Sequence, residues 1–267
     1  MSKYPELNEQ KLAELRISFV DAEKKIRELP DQINDCFDEI KTKAFGIWLM
    51  FTDERDEIQE KLKKLISTLA DLVQGAFAPW LFVDYADKWQ QVGAAVGRVN
   101  GIQNDNKLDM EGQWDGSAYK SFKQSKLSQT TAMTTITGLC EKIHENLLTV
   151  AEEGRIMYKA VVDKLATVLA EVSVAIIETE ATAGAAALWT VNNMNSAIVA
   201  AVELVVELVT NFAEVQTKVW IAQNELQNMI KAPVGLVNSE GNAAWPSPEA
   251  QEYDNKDDDW RQDGKDD

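Results

Sequence analysis

The chain has 267 residues, 45% of them hydrophobic, and its 44 acidic and 27 basic residues give a net charge of −17 at pH 7. This length suits one large domain or two small ones. The negative surface repels nucleic acid phosphates and anionic lipid headgroups, so nucleic-acid binding is not expected. The first ten residues contain no apolar run and no small-residue cleavage site, so we expect no cleavable signal peptide.

The first helix is predicted over residues 7–49, where apolar residues recur at alternating steps of three and four. This spacing is typical of helices that pack side by side. Pro30 lies within the series without shifting its register, which predicts either a kink or the first turn of a new helix. The series is Leu12, Leu15, Phe19, Ala22, Ile26, Leu29, Ile33, Cys36, Ile40, Ala44 and Ile47.

A second helical run is predicted over residues 52–110. Thr52 is a suitable N-cap, because acidic residues follow it in the first turn. Gly75 and Pro79 predict a bend in this run, and the turn-forming residues from 104 onward predict its end.

The third run is predicted over residues 117–182, and a fourth run ends before Pro233 and Gly235. Between these two runs, Gly184 and the Asn192-Asn193 pair offer two possible turns. No stretch alternates in the manner of a strand. The sequence therefore predicts an all-α fold, an elongated antiparallel up-down four-helix bundle over residues 1–231, with the Gly112–Gly116 turn at one tip.

Residues 181–202 carry no charge, and their number is sufficient to span a bilayer. Polar residues in the middle of this segment, Asn192, Asn193, Asn195 and Ser196, favour a different interpretation. We expect small residues that pack closely at the end of the bundle. Insertion into a membrane after a conformational change is the alternative, and constitutive spanning is not expected.

Residues 232–267 lose the helical periodicity and predict a flexible, disordered acidic tail. From Glu249 to the C-terminus the tail has nine acidic and three basic residues. Within it, Tyr253, Asp257 and Trp260 would share one face of a short helix, because they follow i, i+4, i+7 spacing. Isolated aromatic residues in an acidic tail indicate a motif that folds on a partner.

The stretch Trp114-Asp115-Gly116 between two predicted helices, followed far downstream by Tyr253 and Asp257 in Tyr-x-x-x-Asp spacing, resembles the WXG superfamily. These early-secreted-antigen-like proteins are substrates of type VII (ESX) secretion. The chain is similar to the longer actinobacterial substrates, and the resemblance covers about residues 80–180, as a WXG helix-turn-helix hairpin, plus the tail. It departs from the small members in that Tyr253 lies 139 positions after Trp114.

In that family the Trp-x-Gly turn and the tyrosine motif form a composite export signal that the secretion ATPase reads. The resemblance implies that Trp114, Gly116, Tyr253, Asp257 and Trp260 act in recognition. It also implies a secreted protein, an effector or a structural component, that leaves the cell without a cleavable signal peptide. Its partners would be the secretion machinery and either a small WXG protein or a second copy of the chain.

Two further functions stay open from the sequence. The uncharged segment fits a pore-forming helical toxin that inserts a hairpin around residues 181–202, and the helical pattern fits a cytoplasmic scaffold. An enzyme is not expected, because the sequence has no glycine-rich phosphate loop, no paired histidines and no nucleophile elbow. Accordingly, we expect no cofactor and no catalytic site.

Three residues that often carry chemistry have simple structural interpretations. Cys36 and Cys140 fall at apolar helical positions and are expected as buried thiols, with a disulfide between them as the alternative. His144 is expected as an exposed helix residue, because no partner for it can be named from the sequence.

Overall fold

A computed structural model describes residues 3–43, 45, 49, 52–75, 78–109, 116–181, 187–231, 234–236 and 244–246. The described residues form helices and turns without a strand, so the predicted all-α class is confirmed. The helices are α1 (Glu9–Lys43), α2 (Thr52–Gly75), α3 (Ala78–Gln103), α4 (Ser117–Ala181) and α5 (Ala187–Lys231), with a 3-10 turn at Asn106–Leu108.

The helix boundaries decide two questions that the sequence left open. The bend predicted at Gly75 and Pro79 stays a prediction, because residues 76–77 between α2 and α3 lie outside the described residues. Pro30 lies inside the 35-residue α1 and does not begin a new helix. The Asn192-Asn193 pair lies inside α5, so it is not the turn between the last two helices.

The chain divides into two compact units rather than one bundle over residues 1–231. The bundle unit comprises Met1–Val83 and Leu148–Lys218, and the hairpin unit comprises Asp84–Leu147 and Val219–Asp267. The boundary between the units passes through α3, α4 and α5. We describe each unit by itself.

In the bundle unit, α1 and α2 lie antiparallel. Arg55 Nη2 donates to Asn34 Oδ1 at 2.8 Å, and one turn further along α2 the Gln59 side chain donates to the carbonyl oxygen of Pro30 at 3.1 Å. As α2 advances along the chain, its contacts on α1 move back toward the N-terminus of α1, so the two helices are antiparallel.

The α4 part of the bundle unit packs against α1 and α5, and it runs parallel to α1. Tyr4 and Thr149 share a hydrogen bond at the N-terminal end, and Phe19 meets Tyr158 further along both helices. Gly154 of α4 faces the ring of Phe212 in α5. Four helices thus pack against one another, which is consistent with the predicted helical bundle.

The core of the bundle unit is formed by the heptad series predicted for α1 together with apolar faces of the other three helices. Burial of these side chains is the main driving force for the fold, at about 25 cal/mol per Å² of apolar surface. The fully buried residues with less than 1% exposure include Phe19, Ile26, Ile33, Ile58, Leu62, Leu69, Val161, Leu165, Val168, Val172, Val191, Met194 and Ile198.

The described part of the uncharged segment belongs to this core. Val191, Met194 and Ile198 are fully buried, whereas Asn195 accepts a hydrogen bond from Lys61 at 3.0 Å on the other side of the helix. This amphipathic arrangement supports close packing at the bundle end in the described state.

Tyr158 is a buried residue of this core that carries a polar hydroxyl. Its hydroxyl donates to the carbonyl oxygen of Leu72 at 3.0 Å, and its ring meets Phe19 edge-on at a centroid distance of 5.2 Å. Burial disfavours the phenolate, which raises the pKa of Tyr158 to about 12. A Cβ at Gly75 would lie 2.7 Å from the Tyr158 hydroxyl, so any other residue there would displace that hydroxyl.

Candidate functional site

The hairpin unit consists of an antiparallel pair formed by α3 and α4. Gly93 lets the two backbones approach, because a Cβ there would lie 3.0 Å from Cβ of Cys140. Seven residues earlier along the chain, the carbonyl oxygen of Ala86 lies 2.9 Å from Nδ1 of His144. His144 is thus half-buried and hydrogen-bonded across the hairpin, which corrects the expectation of an exposed residue.

Side-chain amides close the end of this pair next to the turn. Gln103 Nε2 donates to Gln129 Oε1 at 2.9 Å, and the Asn104 amide donates to Thr130 Oγ1 at 3.2 Å. After α3 the Asp105 side chain accepts from the backbone N–H of Lys107 and caps the 3-10 turn. These contacts hold the two helices in register where the chain reverses direction.

Gly116 is the described residue of the predicted Trp-x-Gly turn. Its φ of +98° lies in the left-handed region that residues with a side chain rarely adopt, and α4 begins at the next residue, Ser117. The backbone conformation at Gly116 therefore favours glycine over residues with a side chain. Trp114 lies outside the described residues.

The chain beyond α5 contacts α4 at the residues that the structure describes. The hydroxyl of Thr135 donates to the carbonyl oxygen of Val234 at 2.8 Å, and Gln129 Nε2 donates to that of Pro246 at 3.3 Å. We call the described residues 234–236 and 244–246 the C-terminal strap. A flexible tail was predicted from residue 232, but these residues are bonded to α4.

Gly235 brings the strap close to α4. Its φ is +79°, and a Cβ at this position would lie 2.8 Å from the backbone nitrogen of Ala132 and 3.1 Å from Thr131. A hydrogen bond from the Ala244 N–H to the Leu236 carbonyl oxygen, 2.9 Å long, joins the two described parts of the strap. Close backbone approach and positive φ therefore both require glycine at this position.

Of the five residues predicted for recognition, Gly116 is the one that the structure describes. Trp114, Tyr253, Asp257 and Trp260 lie outside the described residues. The strap, however, places the beginning of the tail on α4: Val234 lies beside Thr135, and Pro246 lies beside Gln129, nearer to the turn. Of the two described contacts, the one made by Pro246 therefore lies closer along α4 to Gly116 than the one made by Val234.

A charge pattern on α4 escaped the sequence reasoning. The N-terminal part of this helix carries Lys120, Lys123 and Lys126, and its first acidic residue is Glu141. Lys120 and Lys123 are exposed, and Lys126 is half-buried. Counting charges helix by helix, instead of over the whole chain, would have revealed this lysine series.

The exposed apolar residues of α3 were also missed. Tyr85, Trp89, Val92 and Val99 recur at steps of four, three and seven, and each is at least 40% exposed. The same spacing in α1 marks a core, so periodicity alone could not distinguish a buried face from an open one.

Cys36 and Cys140 are both buried thiols and not a disulfide pair in the structure, in line with the expected interpretation. Burial raises the pKa of the Cys140 thiol, which makes it less reactive as a nucleophile. Among the residues that the structure describes, no group of three or more His, Cys, Asp or Glu side chains is placed to hold a metal ion.

Two described helical stretches are long and apolar enough to cross a membrane by length and composition. They are Asp53–Gln103, with a mean hydropathy of 1.3, and Val191–Ile221, with a mean hydropathy of 1.7 over their most apolar windows. Only 12% and 22% of those windows are buried within the protein. The second stretch begins with the core residues Val191 and Met194, as soluble bundle helices also do.

No protein-family model, curated protein or solved structure matches this chain.

Proposed function

We propose that the chain is a non-enzymatic, secreted helical substrate of an actinobacterial type VII secretion system. In this proposal the hairpin turn with Trp114 and Gly116, and the tail motif with Tyr253, Asp257 and Trp260, form one recognition element. The C-terminal strap is the observation that supports the proposal, because its contact at Gln129 lies closer to Gly116 along α4 than its contact at Thr135.

The dimensions of the hairpin unit support this arrangement. From Gln129 to Ser117 the helix rises about 18 Å. The seven residues from Pro246 to Tyr253 can extend about 23 Å. Tyr253 is therefore within reach of the turn in the same chain, without a partner to supply the second half of the signal.

The positive φ of Gly116 supports the same proposal from the other half. A glycine with positive φ directly before a long helix suits the tight turn that the Trp-x-Gly motif requires. A turn of defined geometry is a suitable surface for a secretion ATPase to recognise, because little conformational entropy is lost on binding.

Export measurements test the proposal. Expressed in an actinobacterium with a working type VII system, the full chain should accumulate in the culture filtrate and should remain in cells that lack the secretion ATPase. Trp114→Ala and Tyr253→Ala should each reduce export. Trp220→Ala and Tyr85→Ala are the matched controls, because both residues are exposed and lie outside the motifs. Equal export of all four variants would exclude the proposed signal.

The partner within this proposal is a small WXG protein or a second copy of the chain. Co-expression with the WXG proteins of the same secretion system, followed by light scattering of the purified material, distinguishes the two. A heterodimer mass supports the small partner, a multiple of 29.8 kDa supports self-association, and a mass of 29.8 kDa shows that the chain acts alone.

The low burial of the two apolar stretches favours a membrane-active helical protein as the second candidate. In this function, the hairpin around residues 181–202 would leave the bundle core and enter the bilayer. Dye release from neutral and anionic vesicles, measured between pH 4 and pH 8, tests it. A membrane-active chain releases the dye under at least one condition, whereas intact vesicles under all of them exclude this function.

A further inference from the structure

The lysine series on α4 begins one helical turn from the last described contact of the strap, on the side of the N-terminus of α4. Gln129 Nε2 donates to the carbonyl oxygen of Pro246, and Lys126 precedes Gln129 by three positions. The last described contact of the chain thus lies three positions from Lys126, and 21 residues follow Pro246 in the sequence.

The charges of the two segments are complementary. Residues 117–140 of α4 carry Lys120, Lys123 and Lys126 without an acidic residue, within a chain whose net charge is −17. Residues 249–267 carry nine acidic and three basic residues, a net charge of −6. The segment before α4 contains acidic residues of its own, among them Asp105 and Asp109, so the lysine series is confined to the helix.

The surface between the lysines is not purely polar. Phe122 is 41% exposed and Leu127 is 59% exposed, and Lys123 Nζ lies 5.8 Å from the ring centroid of Tyr119. Apolar side chains interleaved with positive charges suit a segment that is acidic and aromatic at once. The tail, with Tyr253 and Trp260 among its carboxylates, has this composition.

We infer that the N-terminal part of α4 is the docking surface of the chain's own acidic tail. Carboxylates of residues 249–267 pair with Lys120, Lys123 and Lys126, and the tail aromatics cover the apolar side chains between them. This contact goes beyond the proposed function, since it forms in the free chain whether or not a secretion ATPase reads it. Its occupant is the same chain, because the strap holds the tail at high effective concentration beside the lysines.

Hydrogen exchange of the full chain tests the docking. In 50 mM salt, the amides of residues 247–267 should exchange more slowly than in an unstructured peptide of the same sequence. In 0.5 M salt this protection should fall, because the screening length shortens to about 4 Å. Unstructured exchange rates at 50 mM salt would overturn the inference.

Charge variants identify the surface. The triple variant Lys120→Gln, Lys123→Gln and Lys126→Gln should accelerate exchange of the tail by about fivefold, the effect expected of a few exposed ion pairs. The triple variant Lys24→Gln, Lys63→Gln and Lys64→Gln changes the net charge equally at exposed sites of the bundle unit and should leave the tail unchanged. Equal effects of the two variants would contradict a specific surface.

Zero-length carbodiimide crosslinking identifies the occupant. An equal mixture of unlabelled and ¹⁵N-labelled chains should yield amide links from the lysine series to tail carboxylates within chains of one isotope. Links that join light and heavy chains would assign the surface to a second copy. Links from the tail to bundle-unit lysines alone would also overturn the inference. Export plays no part in these measurements, so their failure is distinguishable from failure of the proposed function.

Discussion

The hydroxyl of Thr135 donates to the carbonyl oxygen of Val234 at 2.8 Å, although 99 positions separate the two residues. This hydrogen bond ties the segment that follows α5 to α4, on the hairpin that contains Gly116. It determines where the acidic tail begins its path, and therefore which surface of the protein the tail can reach.

Replacing Thr135 with valine should loosen the strap. The change keeps the size and β-branching of the side chain but removes the donor, and a hydrogen bond of this kind is worth about 1 kcal/mol. We expect hydrogen exchange of residues 234–246 to accelerate about fivefold. Thr134→Val is the matched control, because Thr134 Oγ1 donates to the carbonyl oxygen of Thr130 in its own helix and not to the strap. Acceleration by the control to the same extent would contradict the prediction.

Gly235→Ala should displace the strap more strongly than Thr135→Val. The new methyl group would meet the Ala132 backbone nitrogen at 2.8 Å, and the φ of +79° would add strain of about 1–2 kcal/mol. Limited proteolysis measures the result as faster cleavage between residues 232 and 246, while circular dichroism should show an unchanged helix content. Protease resistance equal to that of the wild-type chain would refute the predicted close approach.

The same glycine-to-alanine change should have opposite effects at Gly116 and Gly97. Both positions have open space around the added methyl group, so packing does not decide the outcome. At Gly116 the φ of +98° makes alanine unfavourable by about 1–2 kcal/mol. At Gly97, inside α3, alanine should stabilise the helix by up to about 1 kcal/mol. Urea unfolding midpoints measure both shifts, and a shift of the same sign at both positions would disprove the role of φ.

Tyr158 should make the protein sensitive to alkaline pH. Its pKa is raised to about 12 by burial, whereas the hydroxyl ionises near 10 in an unfolded chain. Between these values the unfolded state binds fewer protons than the native state, so the free energy of unfolding falls as pH rises above 10. Tyr158→Phe should flatten this decline and lower stability at pH 7 by about 1 kcal/mol, because the Leu72 carbonyl oxygen loses its donor. Urea unfolding at pH 8, 10 and 11 measures both effects, and identical slopes for the two proteins would count against the assignment.

The heptad series of α1 and the glycine and proline signals predicted the helices well, because these signals are local. Leu12, Phe19, Ile26 and Ile33 all became core residues at the positions that the spacing indicated. The bend at Gly75 and Pro79 was predicted for the same reason: proline restricts its own backbone and that of its neighbour whatever surrounds it.

Exposure and long-range contacts were not predictable in this way. The apolar series of α3 has a spacing like that of α1, yet Trp89 and Val99 are exposed. The sequence of one helix does not determine how many other helices cover each of its faces. Likewise, the polar composition after residue 231 favours disorder, but Gly235 and the Thr135 hydroxyl provide a specific contact for it.

The sequence by itself determined the all-α class, the start of a helix after Gly116, and the motif that resembles a type VII export signal. Each of these depends on backbone preferences or on side-chain order within a few turns. Only the tertiary structure decided that the chain divides into two units, and that the strap contacts α4 at Thr135 and Gln129. Such contacts join residues about a hundred positions apart, and no local preference encodes which distant surfaces meet.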